Sequence, residues 1–405
     1  MTNIHPIVPS DISACPLAGV KVIEMTHWVA GPLAGMILGD LGADVLKVEN
    51  PNSPDGGRGN TEAHGVNLVT DDGRYMCWET FNRNKRSIAL DASTPDGQAV
   101  LHKLVADCDV FLTNLRRRPL EAMGASFEQL QKVNQRIVYA FAEGLGAVGP
   151  RANEPAVDSI GMAYSGFMFE VSAIPGVPWY PHGSIVDLQA GTMLAFAILS
   201  GLFARDRTGQ AQYAHSSQLQ AMMWLEMFGI AMAANTEDTF DAHKHSSPLF
   251  DAYKCRDGKY ISIGILYDKT WPDLASVLES ATLITDPRFS ERVRRHENRV
   301  DLKEEFNTLF ARRDRDEWLE RLRAKGIMCS PVNTVTDLVT DEQVASEGYL
   351  VELENGLRFV KSPFGLEEIP RKGAPELGAD THEVLLALGL SIDEIVDLHI
   401  KNVVL

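Results

Sequence analysis

The first 145 residues alternate short apolar segments with segments of helical periodicity. The apolar segments are rich in Val, Ile and Leu and end in small or polar residues, which is typical of buried strands. They cover residues 20–26, 43–49, 86–92, 108–114 and 136–142. The helical patterns between them cover 31–42, 94–107 and 126–134. Strands that alternate with helices of this length predict right-handed βαβ units and a parallel sheet.

The pattern changes after this region. Residues 158–225 favour helices, and their apolar run at 190–204 is too short for a membrane span and indicates a buried core helix. A polar stretch at 235–247 marks a boundary, and 248–266 predicts a β-hairpin with its turn at 256–258. The remaining helical patterns cover 268–280, 298–313, 315–326 and, as two short helices, 380–404.

Together these patterns predict an α/β protein with two domains. A large Rossmann-like domain with a parallel sheet is expected over 1–225, and a smaller α+β domain over 235–330. Residues 331–405 are expected to form a linker and C-terminal helices that return to the large domain. A chain of 405 residues is long enough for each domain to bury its own core.

Composition narrows the class of protein. A formal net charge of -17 argues against nucleic acid or an anionic membrane as the main partner. The five cysteines are dispersed without a CxxC pair, which indicates reduced thiols, and no metal-ligand spacing is present, so no metal site is predicted. The first residues lack the pattern of a signal peptide. We therefore expect a cytoplasmic protein.

Open α/β sheets bind ligands at the carboxyl ends of their strands. Three loops fall there, after the first, fourth and fifth predicted strands: THWVAGP at 26–32, TNLRRRP at 113–119 and AEGLGAVGP at 142–150. The first loop lacks the GxGxxG fingerprint of dinucleotide sites. It nevertheless opens a helix with Pro32 in its first turn, and a helix N-terminus suits a phosphate.

One carboxylate stands alone further along the chain. Asp158 lies among small and apolar residues in PAVDSIGMAYSG at 155–166, and an ionised Asp is costly to bury without a partner. Pro155 and the helical pattern after Asp158 favour a helix N-cap. The residues alone leave open whether Asp158 also does chemistry.

Several segments resemble family III CoA-transferases, which include formyl-CoA and crotonobetainyl-CoA transferases. In chain order they are LAGVKVIEMTHWVAGPLAGMILGDLGADVLKVENP, NRNKRSIALD, TPDGQAVLHKLVADCDVFLTNLR, LFARDRTGQAQY, GIMCSPVNT and APELGADTHEVLLALGLSIDEI. The likeness runs from about residue 17 to 404. It implies a Rossmann-like CoA-binding domain, a smaller domain and an interlocked dimer. It also implies coenzyme A thioesters as substrates, with no permanently bound cofactor.

The resemblance gives Asp158 the position of the family's catalytic Asp. A carboxylate attacks an acyl-CoA thioester to give a mixed anhydride and CoA thiolate, and the thiolate then attacks the aspartyl carbonyl to give an enzyme thioester. An acceptor acid runs the steps backwards. The implied function is transfer of coenzyme A from an acyl-CoA donor to a carboxylic acid acceptor.

The resemblance also implies a set of CoA-binding residues. They are His27, Val29, Ala30, Asn82, Asn84, Lys85, Asn114, Leu115, Arg116, Glu143 and Gly144. Arg and Lys side chains suit phosphates on an otherwise acidic protein. Alternatives stay open for three features. His27 is alternatively a strand-end residue bonded to backbone, the basic loops are alternatively solvated, and Glu143 is either a second carboxylate with an acid–base role or a surface loop residue.

The sequence departs from the family pattern at three places. Ala122 stands where an Arg is expected, with Arg117 or Arg118 as substitutes, NPN at 50–52 replaces a basic residue, and KHSSPLF at 244–250 replaces a Gly-rich loop. Trp28, Val29 and Tyr164 suggest an apolar acyl pocket, and Arg58 is a candidate partner for a distal carboxylate.

The sequence leaves two rival functions, of which the first belongs to related enzymes. The α-methylacyl-CoA racemases carry a His immediately before the catalytic Asp, and Val157 in that place favours transfer over racemisation. The other rival, of another class, is a non-catalytic subunit of a heteromeric transferase, and the presence of Asp158 weighs against it because such a subunit would not need the carboxylate. A homodimer is expected, and a heteromer is the alternative.

Overall fold

The computed structural model describes residues 15–63, 65–152, 154–172, 174, 176–236, 247–364 and 371–405. The chain divides into two compact units, one comprising the chain up to Ala234 together with Tyr349–Leu405, and the other Asn235–Gly348. The smaller unit therefore extends beyond the expected boundary at 330, because residues 331–348 stay with it. Residues 244–246 of the segment that replaces the Gly-rich loop lie outside the described residues.

The strands are β1 Lys21–Met25, β2 Asp44–Glu49, β3 Glu62–Ala63, β4 Val66–Asn67, β5 Lys85–Ala89, β6 Val110–Thr113, β7 Val138–Glu143, β8 Gln212–Ser217, β9 Phe250–Lys254, β10 Tyr260–Gly264, β11 Met328–Pro331, β12 Leu350–Glu352 and β13 Arg358–Val360. The helices are α1 Ala30–Asp40, α2 Met76–Asn82, α3 Pro95–Ala106, α4 Arg117–Ala122, α5 Phe127–Val133, α6 Asp158–Ser165, α7 Phe167–Glu170, α8 Ile185–Thr208, α9 Gln218–Leu225, α10 Met227–Asn235, α11 Trp271–Val277, α12 Thr282–Thr285, α13 Arg292–Glu297, α14 Arg299–Phe310, α15 Arg315–Ala324, α16 Val335–Val339, α17 Glu342–Ser346, α18 Thr381–Ala387 and α19 Ile392–Ile400. Short 3-10 turns occur at Gly56–Gly59 and Asp268–Thr270.

The larger unit is built on a six-stranded parallel sheet in the order β5-β2-β1-β6-β7-β8. Counted within the sheet, this is the Rossmann order, which reverses between the first and fourth strands. The predicted parallel sheet is confirmed. Sequence reasoning missed the sixth strand, β8, because its segment QYAHSS is polar and has the composition of an edge strand rather than of a buried one.

Helix α1 lies close over the sheet because three glycines share one of its faces. A Cβ added at Gly35 would stand 1.8 Å from a carboxylate oxygen of Glu24, and one at Gly31 would stand 2.7 Å from the side chain of Thr26. A Cβ at Gly39 would approach the backbone of Asn84 to 3.1 Å. This spacing of every fourth residue lets the helix backbone approach the polar side chains at the end of β1.

Helix α8 is longer than the predicted 190–204 and begins at Ile185. Its length and apolar composition alone are sufficient for a membrane span. In the structure it packs against other elements of the larger unit, where Leu194 and Ile198 are fully buried. Gly191 meets the carbonyl of Ala30, and Gly201 meets Val138 of β7. These contacts are those of a core helix, as predicted.

The smaller unit contains an antiparallel sheet in the order β11-β10-β9. The predicted hairpin is confirmed, since β9 and β10 pair across a turn in which the N–H of Gly258 donates to the carbonyl of Cys255 at 3.0 Å. Helices α11, α14 and α15 cover this sheet with a core that includes Trp271, Phe306 and Trp318.

The C-terminal segment is part of the larger unit. Ser87 of β5 donates its N–H to the carboxylate of Asp380 at 2.8 Å, and the N–H of Asp380 donates to the carbonyl of Ser87 at 2.9 Å. Leu385 and Ile395, on the last two helices, are fully buried in the same core as Ile88.

Candidate active site

The loops after β1 and β6 meet at the point where the strand order reverses. The N–H of His27 donates to Oδ1 of Asn114 at 2.9 Å, and Nδ2 of Asn114 donates to the carbonyl of His27 at 2.7 Å. Burial lowers the pKa of the His27 imidazole. These bonds hold two of the predicted CoA-binding segments side by side, in the crevice where Rossmann-like sheets take ligands.

Trp28 follows in an unusual conformation. Its φ of 67° lies in the left-handed region, which is rare for a bulky residue, and its side chain is 56% exposed. The N–H of Trp28 donates to Oδ1 of Asp55 at 2.9 Å. The indole lies on Gly56, where an added Cβ would stand 2.6 Å from a ring carbon. Asp55 and Gly56 thus fix both the backbone and the ring of Trp28, while Val29 and Ala30 after it are buried.

A cluster of buried charges lies beneath this loop. Lys47 forms salt bridges with Glu24 at 3.1 Å and Asp55 at 2.9 Å, and donates to the carbonyl of Thr26 at 2.9 Å. Burial by itself would lower the pKa of Lys47 and raise that of Asp55. The attraction between opposite charges outweighs burial in both, so the pKa of Lys47 is raised and that of Asp55 is lowered. Both groups are therefore charged, and they anchor the loop from below.

The predicted contact between Lys85 and a CoA phosphate needs correction. The Lys85 side chain is fully buried, and its ammonium contacts Glu24 at 2.9 Å, the carbonyl of Pro32 at 2.9 Å and Oδ1 of Asn82 at 2.8 Å. Burial lowers its pKa to about 8, against the opposing effect of Glu24. An ammonium enclosed in this way cannot reach a phosphate, so Lys85 and Asn82 support the α1 loop instead.

Asn84 is also engaged within the protein. It has a left-handed φ of 62°, its Nδ2 donates to Asp40 at 2.6 Å, and its Oδ1 accepts from the N–H of Lys372 at 2.9 Å. Arg58, the candidate partner for a distal carboxylate, is bound to Glu49 at 2.7 Å and stacks on Trp78. Both side chains are therefore held by partners within the protein.

The loop after β6 presents cations at the surface. Arg116 and Arg118 are exposed, whereas Leu115 packs against the core. Arg117 is bound to the buried carboxylate of Glu143 at 2.5 Å, and that carboxylate lies 3.6 Å from Nδ1 of His215. Glu143 is therefore not a surface loop residue, and its charge is matched by Arg117.

Gly144 brings the Asp158 segment close to β7. A Cβ added at Gly144 would stand 2.7 Å from the Cβ of Ala156, two residues before Asp158. The carbonyl of Gly144 accepts the N–H of Leu219 at 3.3 Å. This close packing explains the glycine at position 144.

Asp158 is the first residue of α6, and its side chain does not cap that helix. The N-cap position belongs to Val157, so the N-cap interpretation of Asp158 is wrong. Its Oδ2 instead accepts the N–H groups of Val186 at 2.9 Å and Asp187 at 3.2 Å, in the first turn of α8. Its Oδ1 accepts the hydroxyl of Tyr180 at 3.2 Å. Asp158 is only 8% exposed, and its carboxylate lies at the positive end of a long helix.

A second carboxyl lies next to Asp158. Burial, together with the charge of Asp158, raises the pKa of Asp187 to about 6, although the amide of Gln218 donates to it at 2.7 Å and opposes the shift. Gln218 packs against Gly161, one turn after Asp158. Burial also raises the pKa of the Cys77 thiol, and both Asp55 and Asp187 add to that effect.

Sequence reasoning missed the partners of Asp158. Tyr180 and Val186 carry no motif that marks them, because one bonds through a loop side chain and the other through its backbone N–H. Asp187 was visible only as a charge ahead of an apolar run. That position, a carboxylate in the first turn of a buried helix, was the one available signal.

Comparison with known proteins identifies the family. Residues 17–381 match CoA-transferase family III. Succinyl-CoA:glutarate CoA-transferase of Mus musculus is 30% identical over 383 residues, covering 91% of this chain and 86% of that protein. The succinyl-CoA–L-malate CoA-transferase beta subunit of Chloroflexus aurantiacus is 28% identical over 406 residues, covering 96% and 98%. The crystal structure of a CaiB/BaiF family protein from Brucella suis matches with a TM-score of 0.81 and 27% identity, covering 92% of this chain and 99% of that one. The chain belongs to CoA-transferase family III, as its motifs predict, and is an enzyme of the CoA-transferase class.

Proposed function

We propose that the enzyme moves coenzyme A from an acyl-CoA donor to a carboxylic acid acceptor with Asp158 as the nucleophile. The observation that carries this proposal is the set of uncharged donors around the Asp158 carboxylate. No salt bridge among the described residues involves Asp158. Acylation removes the negative charge of Asp158. Because no described cation forms a salt bridge with Asp158, its acylation leaves none of those cations buried without a partner.

The reaction then proceeds by exchange of bonds between activated acyl groups. The Asp158 carboxylate attacks the thioester carbon and expels CoA thiolate, giving a mixed anhydride. The thiolate attacks the aspartyl carbonyl and expels the donor acid as its carboxylate, giving an aspartyl-CoA thioester. The acceptor acid reverses these steps and leaves as the new acyl-CoA. No proton transfer is needed, so the burial of the site serves to exclude water from both intermediates.

Coenzyme A enters as part of the substrate and not as a permanently bound cofactor. The proposed binding surface comprises the loop from His27 to Ala30 and the exposed cations Arg116 and Arg118. The pairing of His27 with Asn114 supports this assignment because it orders both loops at the strand-order reversal. An exposed guanidinium suits the phosphates.

The acids are proposed to be short dicarboxylic acids. This rests on the names of the relatives, which include a succinyl-CoA:glutarate and a succinyl-CoA–L-malate CoA-transferase. We further propose that the enzyme is cytoplasmic.

An interlocked homodimer is proposed on the basis of the exposed apolar side chains of the larger unit. Four large ones on α8, α9 and α10 are more than half exposed, namely Phe196, Phe203, Trp224 and Phe228. Such a group is typical of a protein–protein interface. A heteromer is the rival, since one relative is named as a beta subunit. Light scattering on the purified chain, with activity measured on the same fraction, separates the two.

The test of the function uses succinyl-CoA and a panel of acids that includes glutarate, malate and oxalate, with new thioesters followed by mass spectrometry. Hydroxylamine trapping is expected to mass-label Asp158. Asp158→Asn retains an acceptor for the α8 amides, so folding is expected to persist while turnover falls about 10⁴-fold or more. The surface variant Asp393→Asn serves as a control. A label on another residue, or full activity in Asp158→Ala, would contradict the mechanism.

A further inference from the structure

The two oxygens of the Asp158 carboxylate have different partners. Oδ2 accepts two backbone N–H groups, from Val186 and Asp187, which are fixed in the first turn of α8. Among the described residues, Oδ1 accepts only the hydroxyl of Tyr180, which lies between α7 and α8. Burial and the charge of Asp158 both raise the pKa of Tyr180, so its hydroxyl keeps its proton. A side-chain hydroxyl can turn away from an oxygen, whereas helix amides cannot.

We propose that the two oxygens keep separate duties in every turnover. Oδ1 makes and breaks bonds to the substrates, and Oδ2 remains the carbonyl oxygen throughout. The N–H groups of Val186 and Asp187 then form the oxyanion hole for each attack on the aspartyl carbon. The inference rests on the proposed function, because it requires Asp158 to be the nucleophile.

The packing around α8 favours this arrangement. Val186 is fully buried against Met162 and Met222, so the start of α8 is held against α6. A Cβ at Gly161 would stand 2.8 Å from Val186, which shows how closely the two helices approach. The side chain of Asp187 is held by Gln218 at 2.7 Å. Rotating the carboxylate by half a turn would break both hydrogen bonds from the backbone N–H groups at once. Donors preorganised in this way are suited to stabilise charge that develops on one oxygen.

The oxygen atoms can be followed through the reaction. Oδ1 attacks the thioester carbon and the C–S bond breaks, releasing thiolate. The thiolate attacks Cγ, and the electron pair of the carbonyl double bond moves to Oδ2. When the carbonyl re-forms, the Cγ–Oδ1 bond breaks and the donor acid leaves with Oδ1. The acceptor carboxylate attacks Cγ in the same way and expels thiolate. A last thiolate attack on the acceptor's acyl carbon releases the new thioester and leaves one acceptor oxygen in the place of Oδ1.

This account makes the fate of isotopic label diagnostic. The wild-type enzyme is allowed many turnovers with succinyl-CoA and glutarate whose carboxyl oxygens are all heavy, or with the acid from the panel that reacts fastest. The peptide that contains Asp158 is then isolated and weighed. One heavy oxygen in Asp158 is expected. Two heavy oxygens would overturn the inference while supporting Asp158 as nucleophile, and none would overturn the proposed function itself.

A pair of variants identifies the donors responsible. Val186→Pro removes the nearer amide, and proline is tolerated in the first turn of a helix. We expect it to admit a second heavy oxygen and to lower kcat about 10²–10³-fold, as for loss of one oxyanion-hole donor. Tyr180→Phe is expected to keep the single label, because both amides remain. A single label in Val186→Pro, or a double label in Tyr180→Phe, would contradict the assignment of the amides.

Discussion

Lys85 and Glu24 form a salt bridge of 2.9 Å in which neither side chain is exposed to solvent. The same Glu24 carboxylate also binds Lys47, which in turn holds Asp55 beneath the Trp28 loop. Two lysines and two carboxylates thus balance one another inside the protein. Because the charges are matched, removing one member leaves another charge buried without its partner.

Replacing Lys85 with methionine is expected to destabilise the protein rather than to weaken CoA binding. Breaking a buried ion pair by removing one partner costs about 3–5 kcal/mol of unfolding free energy. The measurement is urea unfolding, with KM for acyl-CoA determined well below the transition. The double variant Lys85→Met with Glu24→Gln is expected to recover part of the loss. A raised KM with unchanged stability would restore the phosphate-contact prediction for Lys85.

Replacing Arg116 with alanine is expected to weaken CoA binding without destabilising the protein. The side chain is exposed and no described residue pairs with it, so its loss should leave stability within about 0.5 kcal/mol of wild type. If it binds a CoA phosphate, KM for acyl-CoA should rise about tenfold, the equivalent of one charge-assisted bond. The effect should shrink at high salt. Arg371→Ala, another exposed arginine, is the control, and an equal change in both would argue against a CoA contact by Arg116.

The difference between Lys85 and Arg116 shows what the sequence could predict. The alternation of apolar strands and helices predicted the parallel sheet, because that pattern is local and repeated. The motif NRNKR predicted a basic loop, but Asn82 ends α2, Lys85 begins β5, and both are buried. Whether Lys85 faces solvent or Glu24 depends on a carboxylate 61 residues away, which local patterns do not encode.

For Asp158 too, the position in the chain was predictable and the partners of the side chain were not. Its place at the start of a helix was predictable from Pro155 and the residues that follow it. The donors that surround it were not, since Val186 lies 28 residues further along and contributes only its backbone N–H. A polar edge strand such as β8 escaped for a related reason, because its apolar face is short and its pairing with β7 is non-local. The catalytic role of Asp158 stays a prediction.

The buried carboxyl of Asp187 is expected to make stability depend on pH. Burial raises its pKa from 3.8 to about 6, so between these values the folded state holds a proton that the unfolded state has lost. Stability therefore falls as pH rises through this window, by up to about 3 kcal/mol from this group. The Asp187→Asn variant should not lose this stability as the pH rises. Its free energy of unfolding relative to wild type should therefore increase from pH 4 to about pH 6. If the difference in unfolding free energy between the two proteins did not change with pH, the raised pKa of Asp187 would be contradicted.

The close approach of Gly56 to Trp28 allows the role of the indole to be tested without altering Trp28 itself. Gly56→Ala would place a Cβ 2.6 Å from a ring carbon and push the ring aside, whereas a Cβ at Gly59, in the same turn, meets nothing within 4 Å. Both variants should keep stability within about 0.5 kcal/mol of wild type, because the indole is a side-chain end that can move. If Trp28 lines the acyl site, Gly56→Ala should lower kcat/KM about tenfold to a hundredfold through misplaced substrate, and Gly59→Ala should not. Equal kcat/KM in the two variants would show that the ring position does not matter for transfer.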